Sequence, residues 1–291
     1  MNFSVMTTSF PVDSLTHDEL TQLCSESYGV DHVHYDSILN LPVAMDYEAK
    51  GFIVLIYNDE TDTLVAAASA IDLMGLNTFE WSLLVHPMYR QIGLGTTLYE
   101  ALQKELVQRS AAGQLALMMQ SQQSGGVQFL TARNFDYSFS EATLEAKAEN
   151  SNWSDEVTIR PYEALDEMNL IEVFCKAFGD EEQEALDLIQ YNTSHEELQV
   201  WVAELDGKVV GTVTTRQENS AQWITALAVH PDAEGRGVGR ALIYAVKQLA
   251  FDQGDHFVKL DVELENERAL TIYQKTGFLK VAQIDYFAKT L

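Results

Sequence analysis

The chain has 291 residues, of which 46% are hydrophobic and 10% aromatic, so it is long enough for two domains and too apolar to be disordered. It carries 44 acidic and 18 basic residues, a formal net charge of −26, which disfavours nucleic acids and anionic membrane surfaces as partners. The same charge favours a cationic ligand such as an amine, or it serves solubility alone.

The cysteine content and the first residues bear on the cellular compartment. Cys24 and Cys175 are the two cysteines, which excludes a disulfide framework and is typical of a reducing cytosol. The first Lys or Arg is Lys50, unlike the start of a secretory leader or transit peptide. No apolar run approaches the roughly 20 residues of a membrane span. We therefore expect a cytoplasmic protein with no membrane association, and the sequence does not indicate an oligomeric state.

The predicted elements of the first half are hairpin strands followed by a helix and a strand. Alternation and turn signals place the strands and the later helix. In chain order we predict strands over 52–58, 64–71 and 78–85, a glycine-rich turn, an amphipathic helix, and a strand over 115–120.

The second half has the same order of predicted elements. Asp206-Gly207 is a hairpin signal, and Gly277 stands where a helix C-cap is expected. In chain order we predict strands over 157–162, 198–205, 209–215 and 222–229, a helix after a glycine-rich turn, a strand over 257–264, and a helix over 266–275.

The two halves form a repeat. Residues 84–87 (Leu-Val-His-Pro) recur 144 positions later as residues 228–231 (Ala-Val-His-Pro), and the glycines of the following turn recur at the same spacing. We predict an α/β protein of two tandem domains, residues 1–145 and 155–291, each a mixed central β-sheet flanked by helices. The polar stretch over 145–155 is the predicted junction.

A glycine-rich turn between a strand and a helix in each half predicts a phosphate site. Glycines permit positive φ and a close approach of a ligand to the backbone, and unpaired N–H groups at a helix N-terminus bind anions. A tight strand–helix turn is the alternative. The predicted anion-binding residues are Glu234, Gly235, Arg236, Gly237, Val238, Gly239 and Arg240 in the second half, and Arg90, Gly93 and Gly95 in the first.

Residues 228–242 resemble the acetyl-CoA motif of the GNAT N-acetyltransferases, Gln/Arg-x-x-Gly-x-Gly/Ala after a strand that ends near Val-x-Pro. Residues 90–95 fit that motif fully, whereas Glu234 stands where the family has Gln or Arg. Residues 260–278 resemble the second cofactor segment of the family. The tandem layout is similar to that of the mycothiol synthases, although no motif demands their substrate.

The resemblance implies acetyl transfer from acetyl-CoA to an amine by direct attack in a ternary complex, without a metal. It implies that the hydroxyl of Tyr273 protonates the departing CoA sulfur, although a tyrosine on this helix could equally be a core residue. It also implies that Asn266 contacts the pantetheine arm, while Asn266 is by itself a good helix N-cap.

The predicted base is Asp261, with Glu263 as the alternative. Strand alternation places both carboxylates on the polar face of their strand, where they could also be no more than a solvated acidic edge. Leu227, Ala228 and Val229 belong to the strand that the resemblance pairs with pantetheine, and a bulge there would free an N–H group toward the acetyl oxygen. His86 and His230 each precede a proline and are interpreted as turn residues.

The first half lacks the acid and the base. Leu130 and Gln123 stand at the positions of Tyr273 and Asn266, and strand 115–120 has no carboxylate. We therefore expect the second half to catalyse and the first to bind acetyl-CoA weakly or act as a scaffold. The competing hypothesis is an acyl-CoA-binding or scaffold protein without catalysis. The acceptor, a small-molecule or peptide amine, is not specified by the sequence.

Overall fold

The computed structural model describes residues 1–120 and 125–289 of the chain. Its helices are α1 (Ser14–Asp31), α2 (Leu94–Gln108), α3 (Gly126–Thr131), α4 (Glu167–Phe178), α5 (Glu182–Ser194), α6 (Val238–Gln253) and α7 (Glu267–Lys275). Its strands are β1 (Phe3–Ser9), β2 (Gly51–Asn58), β3 (Thr63–Ile71), β4 (Thr78–Val85), β5 (Gly113–Met119), β6 (Phe135–Lys147), β7 (Val157–Pro161), β8 (Leu198–Leu205), β9 (Lys208–Glu218), β10 (Ala221–Val229), β11 (Phe257–Glu263) and β12 (Leu279–Lys289).

The chain divides into two compact units with the same internal order of strands. Unit 1 comprises Met1–Ser140 and Gln283–Leu291, and unit 2 comprises Glu141–Ala282. The strand order is β1-β2-β3-β4-β5-β12 in unit 1 and β7-β8-β9-β10-β11-β6 in unit 2. In each unit the fourth and fifth strands are parallel and the other pairs are antiparallel. The predicted class, two α/β units with mixed sheets, is confirmed.

The last strand of each unit comes from the other half of the chain. Residues 141–147 of β6 pair antiparallel with β11 of unit 2, and residues 284–288 of β12 pair antiparallel with β5 of unit 1. The units therefore differ from the predicted ranges 1–145 and 155–291, because the C-terminal strand of each half pairs with the other half's fifth strand.

The sheet of unit 2 is covered on both faces. Adjacent residues of a strand point to opposite faces, and accordingly Ala203 packs in the cluster around α6 while Val202 packs in the cluster around α4 and α5. Gly211 allows α6 to approach, since a Cβ atom there would lie 3.0 Å from Val238 and 3.1 Å from the backbone of Ala228. The core therefore fixes α6 tightly against the sheet.

Unit 1 places α2 on its sheet as unit 2 places α6. One side of α2 is buried by leucines at helical spacing, which pack against β2, β3 and β4. These residues are Leu94, Leu98, Leu102 and Leu106. No helix in residues 1–120 or 125–289 combines the length and apolar character needed to cross a bilayer.

Candidate active site

The fourth and fifth strands of unit 2 separate part-way along their length. β10 pairs with β11 only from Ala221 to Ile224, which lies opposite Leu260, although both strands continue. A bulge in β10 falls between Ile224 and Ala226. Because a bulge adds one residue to a strand, it reverses which side chains face each way. Ile224 and Leu227 consequently pack on the same side of the sheet.

The predicted pantetheine-binding segment lies in this separated part of β10. Leu227 and Val229 contact the α6 cluster, and Ala228 is buried in the α4–α5 cluster. None of the three pairs with β11, so one edge of the strand is open toward the gap between the strands.

Residues 234–240, here called the glycine turn of unit 2, lead from β10 into α6. Gly235 and Gly237 have φ of +72° and +86°, values that favour glycine. Gly237 is the N-cap of α6 and offers no side-chain acceptor. The first N–H groups of the helix, from Val238 onward, have no intrahelical partner and lie at the positive end of its dipole. The glycine turn can therefore accept an anion.

Helix α7 packs against the glycine turn. A Cβ atom at Gly239 would lie 2.9 Å from Cδ1 of Ile272, so glycine at this position permits the close approach. Arg268 of α7 forms an ion pair with Glu234. Arg268 thus places a cation of α7 next to the acidic side chain of the glycine turn.

The remaining charges of the glycine turn are exposed. Nη1 of Arg236 lies 2.8 Å from Oδ2 of Asp206. Arg240 is exposed in the first turn of α6, and it makes no hydrogen bond or ion pair within residues 1–120 and 125–289. Arg240 is therefore free to meet an anion bound at the helix N-terminus.

Tyr273 is the residue after Ile272 and is 92% buried, with 8% of its surface exposed. Its ring lies 5.6 Å from that of Phe278, centroid to centroid. Burial raises the pKa of Tyr273 to about 12, because the phenolate would lose its hydration. The hydroxyl forms no hydrogen bond to the part of the chain that the structure describes. At neutral pH it is a protonated donor without an internal acceptor.

Asp261 lies just beyond the last residue of β11 that pairs with β10. Leu260 and Val262 point into the α6 cluster, so Asp261 points to the face that carries α4 and α5. The residue reaches solvent, but the protein packed around its carboxyl group raises the pKa of Asp261, and a hydrogen bond from Thr143 lowers it in part. The predicted alternation of the strand is confirmed by burial at every second position.

The other polar residues that the sequence singles out cap a helix or a turn. Oδ1 of Asn266 accepts a hydrogen bond from the Ala269 N–H at 3.0 Å and so caps α7. Nδ1 of His86 and Nδ1 of His230 each accept a backbone hydrogen bond at 3.2 Å in the turn after their strand. The interpretation of the histidines as turn residues agrees with this geometry.

Unit 1 contains a cleft at the corresponding place. β4 pairs with β5 only as far as Trp81, opposite Ala116, and a cavity of about 440 Å³ lies beyond that point. Its lining includes residues of both strands, the turn over 90–96 and α3. Gly93 has φ +98° and caps α2. A Cβ atom at Gly95 would lie 3.5 Å from Cε2 of Phe129.

The unit 1 cleft differs from the unit 2 site in its chemistry. Leu117 lies on β5 at the position of Asp261, and Leu130, buried in α3, takes the position of Tyr273. Gln123 lies outside the described residues. Arg90 donates two hydrogen bonds to Asp31, whose side chain is 1% exposed. The guanidinium is thereby neutralised by a carboxylate of its own unit.

Two residues of the site were missed by the sequence analysis. Thr143 donates to Asp261, and Arg268 pairs with Glu234. Arg268 follows Asn266 by two residues, so its place near the start of α7 was a usable signal. Thr143 had none, because its strand was assigned to the first half.

Both halves of the chain are similar to one family of known proteins. Residues 17–130 and 165–278 each match the sequence model of the acetyltransferase (GNAT) family. The chain is 26% identical over 294 aligned residues to mycothiol acetyltransferase of Stackebrandtia nassauensis, covering 93% of this chain and 94% of that protein.

A shorter match and a solved structure complete the comparison. The chain is 39% identical over 90 residues to human N-acetyltransferase 8B, which covers 28% of this chain and only 39% of the human protein. The crystal structure of a GCN5-related N-acetyltransferase from Sphaerobacter thermophilus superposes with a TM-score of 0.77 at 19% identity, covering 98% and 95% of the two chains. That likeness supports the fold.

Proposed function

We propose that this chain, which belongs to the acetyltransferase (GNAT) family, is a cytoplasmic enzyme whose unit 2 transfers the acetyl group of acetyl-CoA directly to an amine. The observation that carries the proposal is the meeting of three features in unit 2. An open glycine turn contacts α7 at Ile272, α7 carries a buried protonated tyrosine, and β11, the strand before α7, carries a carboxylate with a raised pKa.

The glycine turn fits the diphosphate of coenzyme A. Open space surrounds Gly235 and Gly237, since a built Cβ atom at either meets nothing within 4 Å. The free N–H groups that begin α6 and the exposed Arg240 would hold the diphosphate, and the open edge of β10 beyond Ile224 would hold the pantetheine arm. Bound acetyl-CoA supplies a thioester as the acetyl donor.

The reaction forms a C–N bond and breaks a C–S bond, so the amine loses one proton and the departing sulfur gains one. Tyr273 is suited to give that proton, because a phenol is protonated at neutral pH, burial raises the pKa of Tyr273 further, and no acceptor among the described residues holds the hydroxyl. Contact of α7 with the glycine turn through Ile272 brings the Tyr273 backbone near the start of α6.

Asp261 is suited to take the proton from the amine, with Glu263 as the alternative on the same face. A carboxylate whose pKa is raised above the usual aspartate value is a stronger base than an ordinary aspartate. The negative charge of Asp261 on this face also favours an acceptor that arrives as an ammonium ion.

We infer that unit 1 binds acetyl-CoA weakly or acts as a scaffold. Its cleft and its glycines support binding, but Leu117 and Leu130 offer neither a base nor an acid. The similarity to mycothiol acetyltransferase over 93% of the chain supports a small-molecule amine as the acceptor class, without identifying the molecule.

The test is release of free thiol from acetyl-CoA in the presence of polyamines, aminoglycosides, amino acids and peptides, repeated with Tyr273→Phe on any acceptor found. We expect Tyr273→Phe to lower kcat about 100-fold, as for loss of a general acid, and to leave the calorimetric Kd for acetyl-CoA within about twofold, because the lost hydroxyl acts on the leaving group and not on the diphosphate.

Tyr244→Phe, a change of the same kind on α6, is the matched control and should retain full turnover. Unchanged turnover in Tyr273→Phe would remove that residue from the mechanism. Absence of acetyl-CoA binding by the wild-type protein would overturn the proposed function.

A further inference from the structure

Thr143 reaches the site of unit 2 on a strand from the first half of the chain. Residues 141–147 of β6 pair along β11, with Thr143 directly opposite Asp261. Oγ1 of Thr143 lies 2.6 Å from Oδ1 of Asp261. A carboxylate has no proton to give, so the threonine hydroxyl is the donor.

We propose that Thr143 is the positioning residue of the general base Asp261, so that the acid–base chemistry of unit 2 depends on a strand contributed by the first half. The proposal rests on the proposed function, in which Asp261 accepts the proton of the amine. Held at Oδ1, the carboxylate keeps Oδ2 available, since that oxygen has no hydrogen-bond partner among the described residues.

The hydrogen bond acts against the effect of burial. Crowding by the protein disfavours the charged carboxylate, whereas a donated hydrogen bond stabilises it, and these opposing effects act on the pKa of Asp261. Thr143 therefore limits how far the base is pushed toward its protonated, inactive form. Its β-branched side chain has a restricted χ1, which keeps the donor directed.

Four charged residues neighbour Asp261 on β11 and β6. On its own face of β11 lie Lys259 and Glu263, and opposite them on β6 lie Glu145 and Glu141. Nζ of Lys259 is 3.1 Å from a Glu145 oxygen.

Helices α4 and α5 lie on the same face of the sheet and carry charges such as Glu172, Lys176 and Asp187, but they pack chiefly on β8, β9 and β10. β10 has no ionisable residue, and α6 and α7 pack on the opposite face, where the side chain of Lys247 is buried against Glu149 and Tyr273 stays neutral. Within the residues that the structure describes, Thr143 is therefore the only hydrogen-bond partner of the Asp261 carboxylate.

The corresponding pair of unit 1 cannot serve this purpose. Leu117 of β5 lies opposite Tyr286 of β12, so neither a carboxylate nor a threonine is present there. The hydroxyl–carboxylate pair thus belongs to the unit in which we place catalysis.

The experiment compares pH profiles of kcat/KM for the wild type, Thr143→Val and Thr143→Ser in the 291-residue chain, with an acceptor identified by the thiol-release screen. Valine keeps the branched shape and removes the donor, and serine restores it. We expect the acid limb of Thr143→Val to move upward by about 0.5 to 1 pH unit. Turnover would then fall about three- to tenfold on the acid limb and stay within about twofold of wild type on the alkaline plateau.

Thr143→Ser should return the acid limb to the wild-type position, and KM for acetyl-CoA should be unchanged in both variants. Thr158→Val, a change of the same kind on β7 at the opposite edge of the sheet, is the control. A Thr143→Val profile that coincides with wild type, or one that is lowered equally at every pH, would overturn the proposal, because the second result marks a purely structural role.

Asp261→Asn separates this inference from the proposed function. If Asp261→Asn keeps wild-type turnover, Asp261 is not the base and the assignment of Thr143 fails with it. If Asp261→Asn loses turnover while the Thr143→Val profile is unshifted, the base stands and only the role of Thr143 fails.

Discussion

Unit 1 and unit 2 have the same backbone arrangement but differ in the side chains that line the candidate site. In both, a strand pair separates, a glycine with positive φ caps the following helix, and a histidine closes the strand before it. At the two positions for which we propose proton transfer, unit 1 has Leu117 and Leu130 where unit 2 has Asp261 and Tyr273. The glycine turn is formed by the backbone, so its geometry does not depend on these four side chains.

The difference extends to the charge beside each turn. In unit 1 Arg90 is locked to the buried Asp31, which also accepts a hydrogen bond from Tyr35 at 2.8 Å. In unit 2 the same position is Glu234, paired with Arg268. The arginine of unit 1 thus forms an ion pair with a buried carboxylate, here called the Arg90–Asp31 clamp, whereas the cations beside the turn of unit 2 are at the surface.

The sharpest test of the comparison changes the N-cap glycine of each unit. Gly237→Val should lower kcat/KM for acetyl-CoA at least about 100-fold, because a branched side chain at φ +86° distorts the turn and fills the space over the helix N-terminus. Gly93→Val, strained in the same way at φ +98°, should cost less than about threefold, since unit 1 lacks the proton-transferring side chains.

Gly254→Val is the matched control for the effect of strain on α6. Gly254 caps the other end of that helix at φ +77° and has open space around it. Steady-state kinetics measure kcat/KM for the three variants, and circular dichroism checks that they are folded. Equal losses of kcat/KM in Gly237→Val and Gly93→Val would show that the two units contribute alike.

The second test concerns stability and predicts the opposite ranking. Asp31→Asn leaves Arg90 partly buried without its carboxylate, and we expect a loss of about 2–3 kcal/mol. Asp166→Asn in unit 2 should cost less, because Arg160 keeps a second carboxylate, Glu204, at 2.6 Å. Urea unfolding of both variants and of the wild type measures this.

The effect of Asp31 has a defined pH dependence. Burial would raise the pKa of Asp31, but hydrogen bonds from Arg90 and Tyr35 outweigh it and hold the pKa below the usual value. A lowered folded-state pKa stabilises the protein above the unfolded value, about 3.9, and this contribution is lost as the pH falls through the folded value. The gap between wild type and Asp31→Asn should therefore be full at pH 7 and shrink below about pH 4.

Local patterns in the sequence predict most of the fold. Strands 78–85 and 198–205 agree with β4 and β8 to the residue, since alternation and the flanking turn residues mark both ends. Asp206 and Gly207 adopt positive φ, as expected for a two-residue hairpin turn. The glycine turn and the alternation around Asp261 follow from the same local signals.

The exchange of the last strands could not be predicted, because the pattern of β6 would pair equally well with the fifth strand of either unit. Pairing of residues 141–147 with β11 depends on long-range contacts that leave no local mark. The same holds for the Arg90–Asp31 clamp, whose partners are separated by 59 residues. Both features depend on contacts between residues that lie far apart in the sequence.

The smallest expected effect comes from Glu234, the position at which unit 2 departs from unit 1. Glu234→Gln removes a negative charge from the glycine turn and frees Arg268 to face an anion, so we expect KM for acetyl-CoA to fall about two- to fivefold at low salt. Exposed charges interact weakly and are screened within about 10 Å at 0.1 M salt, so the gain should vanish at 0.5 M salt.

Asp252→Asn changes the net charge equally at the far end of α6, roughly 20 Å away at 1.5 Å per residue, and should leave KM unaltered. An unchanged KM in Glu234→Gln at low salt would mean that backbone N–H groups alone, without the side chains at this position, determine how the turn of unit 2 binds its anion.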